Sequence, residues 1–107
     1  MDSLANLPCA DRTALSSTDQ ETLLKELSED WRVEDGRLIA EYSFGNYLGG
    51  ISFVNLLAGI AEKLNHHPEL IVGYRRVKVI LYTHTIGGLS KCDFVFAARV
   101  DKARSLM

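Results

Sequence analysis

The sequence predicts an α+β fold, in which an antiparallel sheet carries helices packed on one face. Three segments place apolar residues at the spacing of a helix, and the segments between them alternate apolar and polar residues, as strands do. The predicted order is helix, two strands, helix, one or two strands and helix. A chain of 107 residues without an internal repeat is one domain.

The start of the chain has neither the apolar spacing of a helix nor the alternation of a strand. Residues 1–16 mix Ser, Ala, Asn, Asp and Pro, so we expect a flexible N-terminal extension. Residues 17–107 are then predicted to make up the single domain.

The first helix is predicted to begin at Ser17 or Thr18. Thr18 and Glu21 have the spacing of a capping box, in which each side chain bonds the other residue's backbone N–H. The helix is expected to end near residues 29–30. Its apolar stripe consists of Leu23, Leu24 and Leu27.

Two strands should follow the first helix as a hairpin. Trp31 and Val33 give one apolar face, and residues 34–36 supply the turn, because Gly36 tolerates a positive φ. The second strand alternates apolar and polar residues. Its apolar set is Leu38, Ala40, Tyr42 and Phe44.

The longest helix is predicted from Tyr47 to His66. Pro68 stops it, since proline disfavours helical geometry at the residue before it. His66 then lies in the last turn and His67 just beyond. The apolar surface is wider than one face, which makes a sister subunit one candidate for a contact. The main apolar ridge is Phe53, Leu57, Ile60 and Leu64.

The last third of the chain is predicted to contain strand, loop and helix. Residues 72–83 are extended, and residues 87–88, both glycine, form a loop. Ser90 is the expected N-cap of the final helix, with Asp93 at the third helical position accepting from free backbone N–H groups. This helix should end near Arg104.

Composition excludes several classes of function. Apolar residues make up 47% of the chain and the net charge is −2, which is typical of a soluble globular protein. Twelve basic residues against 14 acidic ones give no electrostatic case for direct nucleic-acid binding. No apolar run approaches the ~20 residues that cross a bilayer, and the N-terminus lacks a secretory signal pattern. We therefore expect a cytoplasmic protein with no membrane partner.

Cys9 and Cys92 are the two cysteines of the chain. In a sequence without a signal peptide they are predicted to be reduced thiols. Cys92 is expected to be a small packing residue of the last helix.

The three histidines all fall between positions 66 and 84. Imidazole takes and gives protons near neutral pH, so their proximity suggests a shared site. Glu62 lies four residues before His66 on the predicted helix, so their side chains can meet. The carbonyls at the helix end favour the imidazolium form of His66. If the strand that ends at His84 packs beside this helix end, the three imidazoles converge.

These residues belong to a spaced set that runs from Glu62 through His66-His67-Pro68 to Tyr74, His84 and Asp93. The set resembles the motif of the pterin-4a-carbinolamine dehydratase family, and the resemblance extends from about Thr18 to the C-terminus. A double histidine alone would be weak evidence, whereas the full spaced set is a strong signal. The resemblance implies a four-stranded sheet with three helices, and a homodimer or homotetramer.

The resemblance also implies a reaction. A 4a-hydroxytetrahydropterin loses water to give the quinonoid dihydropterin, as part of recycling a tetrahydrobiopterin-type cofactor. Positioned acid–base groups suffice for this step, so neither a metal nor a bound cofactor is expected, and the partner is the small pterin substrate.

The site residues that the resemblance implies have separate roles. By analogy His66 and His84 act as acids at the hydroxyl, while His67 helps to hold the pterin. Glu62 would orient or charge an imidazole, and Asp93 would fix the loop–helix junction. The expected substrate-binding residues are Trp31, Pro68 and Thr83, although a tryptophan is more often a core residue.

Other interpretations remain open. The histidine pair could be a helix cap that faces solvent. Three histidines with Glu62 could bind zinc, but adjacent histidines rarely point at one tetrahedral centre. The chain could also be a binding module with a protein partner. A mammalian relative steadies the dimer of a homeodomain transcription factor, and plant and bacterial relatives that lack catalytic residues assist assembly.

Overall fold

Four antiparallel strands form the sheet, in the order β1-β2-β4-β3, in a computed structural model that describes residues 3–107. Three helices and a short 3-10 turn at Leu4–Asn6 are the other regular elements of the described residues. This confirms the predicted α+β fold with four strands and three helices. The strands are β1 (Trp31–Glu34), β2 (Arg37–Ser43), β3 (Glu69–Val72) and β4 (Arg76–Leu81), and the helices are α1 (Ser17–Leu24), α2 (Tyr47–Leu64) and α3 (Lys91–Ser105).

The predicted hairpin joins β1 to β2. Asp35 and Gly36 both have positive φ, 50° and 72°, as the two central residues of a type I′ turn require. The turn sets the register, so that Trp31 pairs with Ala40. One face of the sheet is buried, because alternate residues of the two central strands point to the same side. These are Leu38, Ala40 and Tyr42 of β2 and Val77, Val79 and Leu81 of β4.

Helix α1 begins where predicted but is capped and ended differently. The Ser16 hydroxyl accepts the Asp19 backbone N–H at 3.1 Å, so Ser16 is the N-cap and the predicted Thr18–Glu21 capping box is wrong. The helix stops at Leu24, five residues or more before the predicted end. The backbone continues there in tighter i→i+3 bonds, such as that from the Glu26 N–H to the Leu23 carbonyl at 3.0 Å.

The end of α2 decides where the histidines lie. The helix stops at Leu64, two residues before the predicted end, because Asn65 adopts a left-handed conformation with φ of 49°. The His66 backbone N–H bonds back to the Ala61 carbonyl at 3.1 Å, which satisfies a carbonyl at the helix end. The chain therefore leaves the helix axis at Asn65. His66 becomes buried, while His67 remains exposed.

Helix α3 begins with the predicted cap. Ser90 and Asp93 form a reciprocal capping box, and both side chains are buried. The apolar face of this helix packs with that of α2 into the core; its fully buried side chains include Phe94, Phe96, Ala97 and Val100. Within residues 3–107, no helix is long and apolar enough to cross a bilayer.

The N-terminal extension packs against the domain in the part that the structure describes, which the sequence did not predict, and its flexibility stays a prediction. Leu4 is only 5% exposed. The Arg99 guanidinium donates to the Leu7 carbonyl at 2.9 Å, and the Leu15 N–H donates to the Leu89 carbonyl at 2.9 Å. Scattered leucines thus anchor a segment that has no helical or strand period. Residues 1–2 lie outside the described part of the chain.

The two cysteines are also placed differently from the prediction. Cys9 of the extension forms a disulfide with Cys92 in the first turn of α3, so the expected reduced thiols are replaced by a covalent link. The packing prediction for Cys92 agrees with its 1% exposure. Sequence spacing could not indicate the pair, because the two residues are 83 positions apart.

Candidate active site

The three imidazoles lie along one open cleft between the end of α2 and the turn that follows β4. Its volume is about 170 Å³, below the ~300–1,000 Å³ of pockets that enclose drug-sized ligands. The convergence predicted from the sequence is therefore present, in a shallow form. The cleft is lined by Arg12, Asn65, His66, His67, Thr83, His84 and Thr85.

His66 is held from below by a buried carboxylate. Its Nε2 lies 2.6 Å from Asp93 Oδ1, and both side chains are at most 4% exposed. The other carboxylate oxygen, Oδ2, accepts from the Thr83 hydroxyl and from the Ser90 backbone N–H, each at 2.9 Å. Asp93 thus fixes the loop–helix junction, as predicted. Its bond to His66 was not predicted.

Arg12 approaches the other nitrogen of the His66 ring. Its Nη1 lies 3.5 Å from His66 Nδ1, and its Nη2 donates to the carbonyls of Leu64 and Asn65 at 3.2 and 3.0 Å. A guanidinium can only donate, so Nδ1 must accept and the ring proton lies on Nε2, facing Asp93. These contacts select one tautomer of the neutral ring, and the imidazolium form expected from the helix end stays a prediction.

Glu62 does not meet His66, so that prediction is wrong. Its carboxylate lies 2.6 Å from Nε2 of His67, and both side chains are exposed. The cause is the left-handed turn at Asn65, which takes His66 off the helical face that Glu62 occupies. Glu62 still orients an imidazole, but it is the solvent-facing one.

His84 lies in the turn between β4 and α3 and is exposed. Its ring packs against Tyr82, with 4.2 Å between centroids, and the Arg37 guanidinium lies 3.7 Å from the Tyr82 ring centroid. The hydrogen bonds of the imidazoles within residues 3–107 are those of His66 and His67. His84 can therefore exchange protons with a bound molecule without breaking an internal bond.

Of the three predicted substrate-binding residues, Thr83 and Pro68 lie at or beside the cleft. Thr83 lines the cleft, but it is 2% exposed and its hydroxyl is engaged with Ser90 and Asp93, so it supports the site from behind. Pro68 is half-buried beside the cleft-lining His67, and its contact with substrate stays a prediction.

Trp31 is not part of this cleft, so the cleft does not support its assignment as a substrate contact, which stays a prediction. The side chain is 4% exposed, and its indole N–H donates to Asp101 at 3.0 Å. Trp31 borders a separate, larger cleft of about 470 Å³ between α1 and β1. No imidazole lines that larger cleft.

One cluster has the composition of a metal site. Donor atoms of Cys9, His66 and Cys92 lie within 4.8 Å of one another. The two sulfurs are bonded to each other, and the His66 nitrogens face Asp93 and Arg12. The donors of this cluster are thus already engaged. The three histidines with Glu62 do not converge on one centre either, because His66 points at Asp93.

The fold and the cleft define a small α+β protein in which a buried Asp–His pair and two exposed imidazoles share one opening. A family profile described as pterin 4 alpha carbinolamine dehydratase matches residues 13–103. The chain belongs to this family.

Curated relatives agree with this assignment. A protein of Alkaliphilus metalliredigens is 42% identical over 101 residues, which cover 92% of this chain and 91% of the relative. A protein of Legionella pneumophila is 44% identical over 91 residues, covering 83% and 80% of the two chains. The names of both relatives assign them provisionally to pterin-4-alpha-carbinolamine dehydratase.

Two solved structures resemble the fold. A crystal structure from Brucella melitensis, described as a transcriptional coactivator/pterin dehydratase, matches with a TM-score of 0.79 and 28% identity over 84% of this chain and 97% of that chain. A pterin dehydratase-like protein, identified as a RuBisCO assembly factor in the alpha-carboxysome, matches with a TM-score of 0.55 and 27% identity over 67% of this chain and 83% of that one.

Proposed function

We propose that the protein dehydrates 4a-hydroxytetrahydropterin to the quinonoid dihydropterin, a step in recycling a tetrahydrobiopterin-type cofactor. The observation that carries the proposal is that all three imidazoles line one cleft, where His66 bonds a buried carboxylate, His67 bonds an exposed one and His84 has no hydrogen-bond partner within residues 3–107. Family membership supplies the substrate class.

The reaction needs two proton transfers and no net redox change. The C4a–O bond breaks, and the leaving hydroxyl departs as water with a proton from an acid. The N5–H proton passes to a base, and its bonding electrons form the new N5=C4a double bond. Hydroxide is a poor leaving group, so a positioned acid contributes ~10²–10⁴-fold in rate.

His84 is the best candidate for the acid. Its ring is exposed in the cleft wall and has no internal hydrogen bond to lose. Imidazole is the side chain best suited to proton transfer near neutral pH. We therefore assign to His84 the protonation of the C4a hydroxyl.

His66 is the best candidate for the base. Its Nδ1 faces Arg12, another residue that lines the cleft, at the long distance of 3.5 Å. When Nδ1 accepts a proton, the buried Asp93 carboxylate at 2.6 Å stabilises the imidazolium that forms, as a carboxylate does behind a catalytic histidine. This assignment changes the role of His66 from the acid implied by the family resemblance to a base.

The His67–Glu62 pair is assigned to substrate holding. The carboxylate keeps the imidazole oriented at the cleft rim, at 2.6 Å, where it can bond the edge of a planar ring. Because both groups are exposed, the pair contributes little to fold stability and is free to serve binding.

A dehydration assay on chemically prepared 4a-hydroxytetrahydropterin tests the proposal. His84→Ala is expected to lower kcat by about 10²–10⁴-fold while the circular dichroism spectrum stays unchanged. Ile86→Ala, in the same turn and also exposed, is the matched control and should retain kcat. Wild-type turnover in His84→Ala would remove His84 from the mechanism, and an inactive wild-type protein would contradict the enzyme assignment.

A second candidate function is protein association. Tyr47 at the start of α2 stacks on Tyr74 with 6.4 Å between ring centroids. Exposed apolar residues accompany this stack along α2 and the edge strand β3, and we call the set the Tyr47–Tyr74 patch. It consists of Tyr47 (50% exposed), Leu48 (73%), Ile71 (51%), Val72 (41%) and Tyr74 (69%).

We infer that the Tyr47–Tyr74 patch forms the contact of a homodimer or homotetramer. Edge strands with exposed apolar residues associate readily, and β3 is an edge of the sheet. Ile71→Lys should lower the mass measured by light scattering to that of one chain. Val33→Lys, on the opposite edge strand β1, is the control that should keep the wild-type mass. A monomeric wild-type protein would contradict self-association through the patch and would favour a different protein as its partner.

A further inference from the structure

We propose that Arg12, supplied by the N-terminal extension, is a positioning residue that holds His66 in the Nε2–H tautomer with its Nδ1 lone pair facing the guanidinium. The catalytic consequence rests on the proposed function, in which His66 Nδ1 is the base. The positioning itself follows from the contacts alone.

The Arg12 side chain bridges two features of the site. Nη2 donates to two carbonyls beyond the last turn of α2, those of Leu64 and Asn65. These two bonds aim Nη1 at His66 Nδ1. Arginine suits this position because its planar fork has donors in fixed directions and never loses its charge.

The tautomer follows from counting donors and acceptors around the His66 ring. Asp93 Oδ1 accepts at Nε2, so that nitrogen carries a proton. Arg12 can only donate, so a proton on Nδ1 would leave two donors facing each other. Loss of Arg12 removes the donor that selects the Nε2–H tautomer of the neutral ring, and it frees the ring to turn away from its catalytic orientation.

The extension is anchored on both sides of Arg12, which explains how a segment outside the regular elements can position a side chain. Before it, Cys9 is bonded to Cys92. After it, the Leu15 N–H bonds the Leu89 carbonyl. At Arg12 itself, the Asp11 carboxylate accepts the Thr13 backbone N–H at 3.0 Å and the Thr13 hydroxyl at 2.7 Å.

Arg12 also lies just outside the segment that matches the family profile, which begins at residue 13. A comparison restricted to the matched segment therefore misses it. The contact joins residues 54 positions apart, and only the folded structure reveals it.

Long-range ¹H–¹⁵N spectra of the His66 ring test the positioning without any assay of activity. At mildly alkaline pH the wild-type protein should give the pattern of the Nε2–H tautomer, and Arg12→Ala should move both ring nitrogens toward averaged values. Arg12→Lys keeps the charge but not the fork, and it should not restore the pattern. Arg76→Ala, which removes an exposed arginine bonded to Glu41, is the control.

Dehydration kinetics then test the catalytic consequence. Arg12→Ala and Arg12→Lys should each lower kcat by about 10-fold or more, with a smaller change in KM, because the effect acts through His66. Unchanged ring shifts in both variants overturn the proposal, whatever the activity. Altered ring shifts in a protein without dehydratase activity keep the positioning and reject the proposed function. Arg12→Lys serves alone if Arg12→Ala does not fold.

Discussion

His66 Nε2 and Asp93 Oδ1 lie 2.6 Å apart, with the imidazole 4% exposed and the carboxylate fully buried. The contact joins His66, two residues beyond the end of α2, to the first turn of α3, 27 positions later. It therefore serves two purposes, because it ties two core helices together and fixes the orientation of a ring in the cleft. The Asp93 carboxylate also completes the cap of α3.

Asp93→Asn tests this double role. All three groups around the carboxylate donate to it, namely the His66 ring, the Thr83 hydroxyl and the Ser90 N–H. An amide NH₂ would face one of these donors, so at least one bond is lost. We expect the free energy of unfolding in urea to fall by about 1–3 kcal/mol, and kcat to fall by at least tenfold.

The matched control for this substitution is Asp35→Asn in the β1–β2 turn. Asp35 has φ of 50°, a conformation that asparagine tolerates, so its unfolding free energy should stay within about 0.5 kcal/mol of the wild type. Equal stability of the two variants would mean that the buried contact contributes nothing to the fold.

The left-handed residue at the end of α2 gives a second prediction. Asn65 has φ of 49°, where a Cβ costs roughly 1–2 kcal/mol and asparagine or glycine is tolerated. Asn65→Ala should therefore lower the free energy of unfolding by about 1 kcal/mol, measured in urea, while Asn65→Gly should be close to neutral. If alanine were as stable as glycine here, the left-handed turn would not be what positions His66.

Much of the fold could be predicted from the sequence. The alternation in residues 37–43 and the wide apolar surface of residues 47–64 are local signals, and each element they indicate is present. The ends of the helices were less predictable. They depend on which of several polar residues caps a helix, as at Ser16, and on a left-handed turn that also receives support from Arg12.

The sequence predicted that the three histidines share a cleft, but it did not predict their hydrogen bonds. The spacing of the three histidines and the family resemblance placed them in one cleft, and the structure brings them there. Helical spacing paired Glu62 with His66, yet Glu62 bonds His67, since one backbone residue, Asn65, leaves the helical path. Arg12 gave no signal, because its contact depends on tertiary docking of a segment without periodicity.

The disulfide between Cys9 and Cys92 supports a third prediction. It closes a loop of most of the chain, with 83 positions between its ends, and such a link typically stabilises by about 2–4 kcal/mol. Cys9→Ser should lower the free energy of unfolding by this amount. Dithiothreitol should lower the wild-type value similarly and leave that of Cys9→Ser unchanged. Two alkylatable thiols in the untreated, folded protein would show that the cysteines are not bonded.

Tyr42 gives a prediction for alkaline pH. Its side chain is 3% exposed, and its hydroxyl has no hydrogen-bond partner within residues 3–107. Burial, with the nearby carboxylates of Asp101 and Asp30, raises the pKa of Tyr42 well above its usual value. Above about pH 10 the unfolded chain loses this proton while the folded protein keeps it. Tyr42 therefore leaves the free energy of unfolding unchanged with pH below about pH 10. This free energy falls as the pH rises from there toward the folded-state pKa.

Tyr42→Phe should remove this loss. The wild-type free energy of unfolding should decline above about pH 10, and Tyr42 should contribute up to ~1.4 kcal/mol per pH unit to this slope. The free energy of unfolding of Tyr42→Phe should lack that contribution and decline less steeply. At neutral pH the variant should be as stable as the wild type or slightly more stable, since a buried hydroxyl without a partner is removed. Tyr74→Phe is the control, because Tyr74 is 69% exposed and should leave the slope unchanged. Urea titrations at a series of alkaline pH values measure both slopes, and parallel curves for wild type and Tyr42→Phe would contradict the raised pKa.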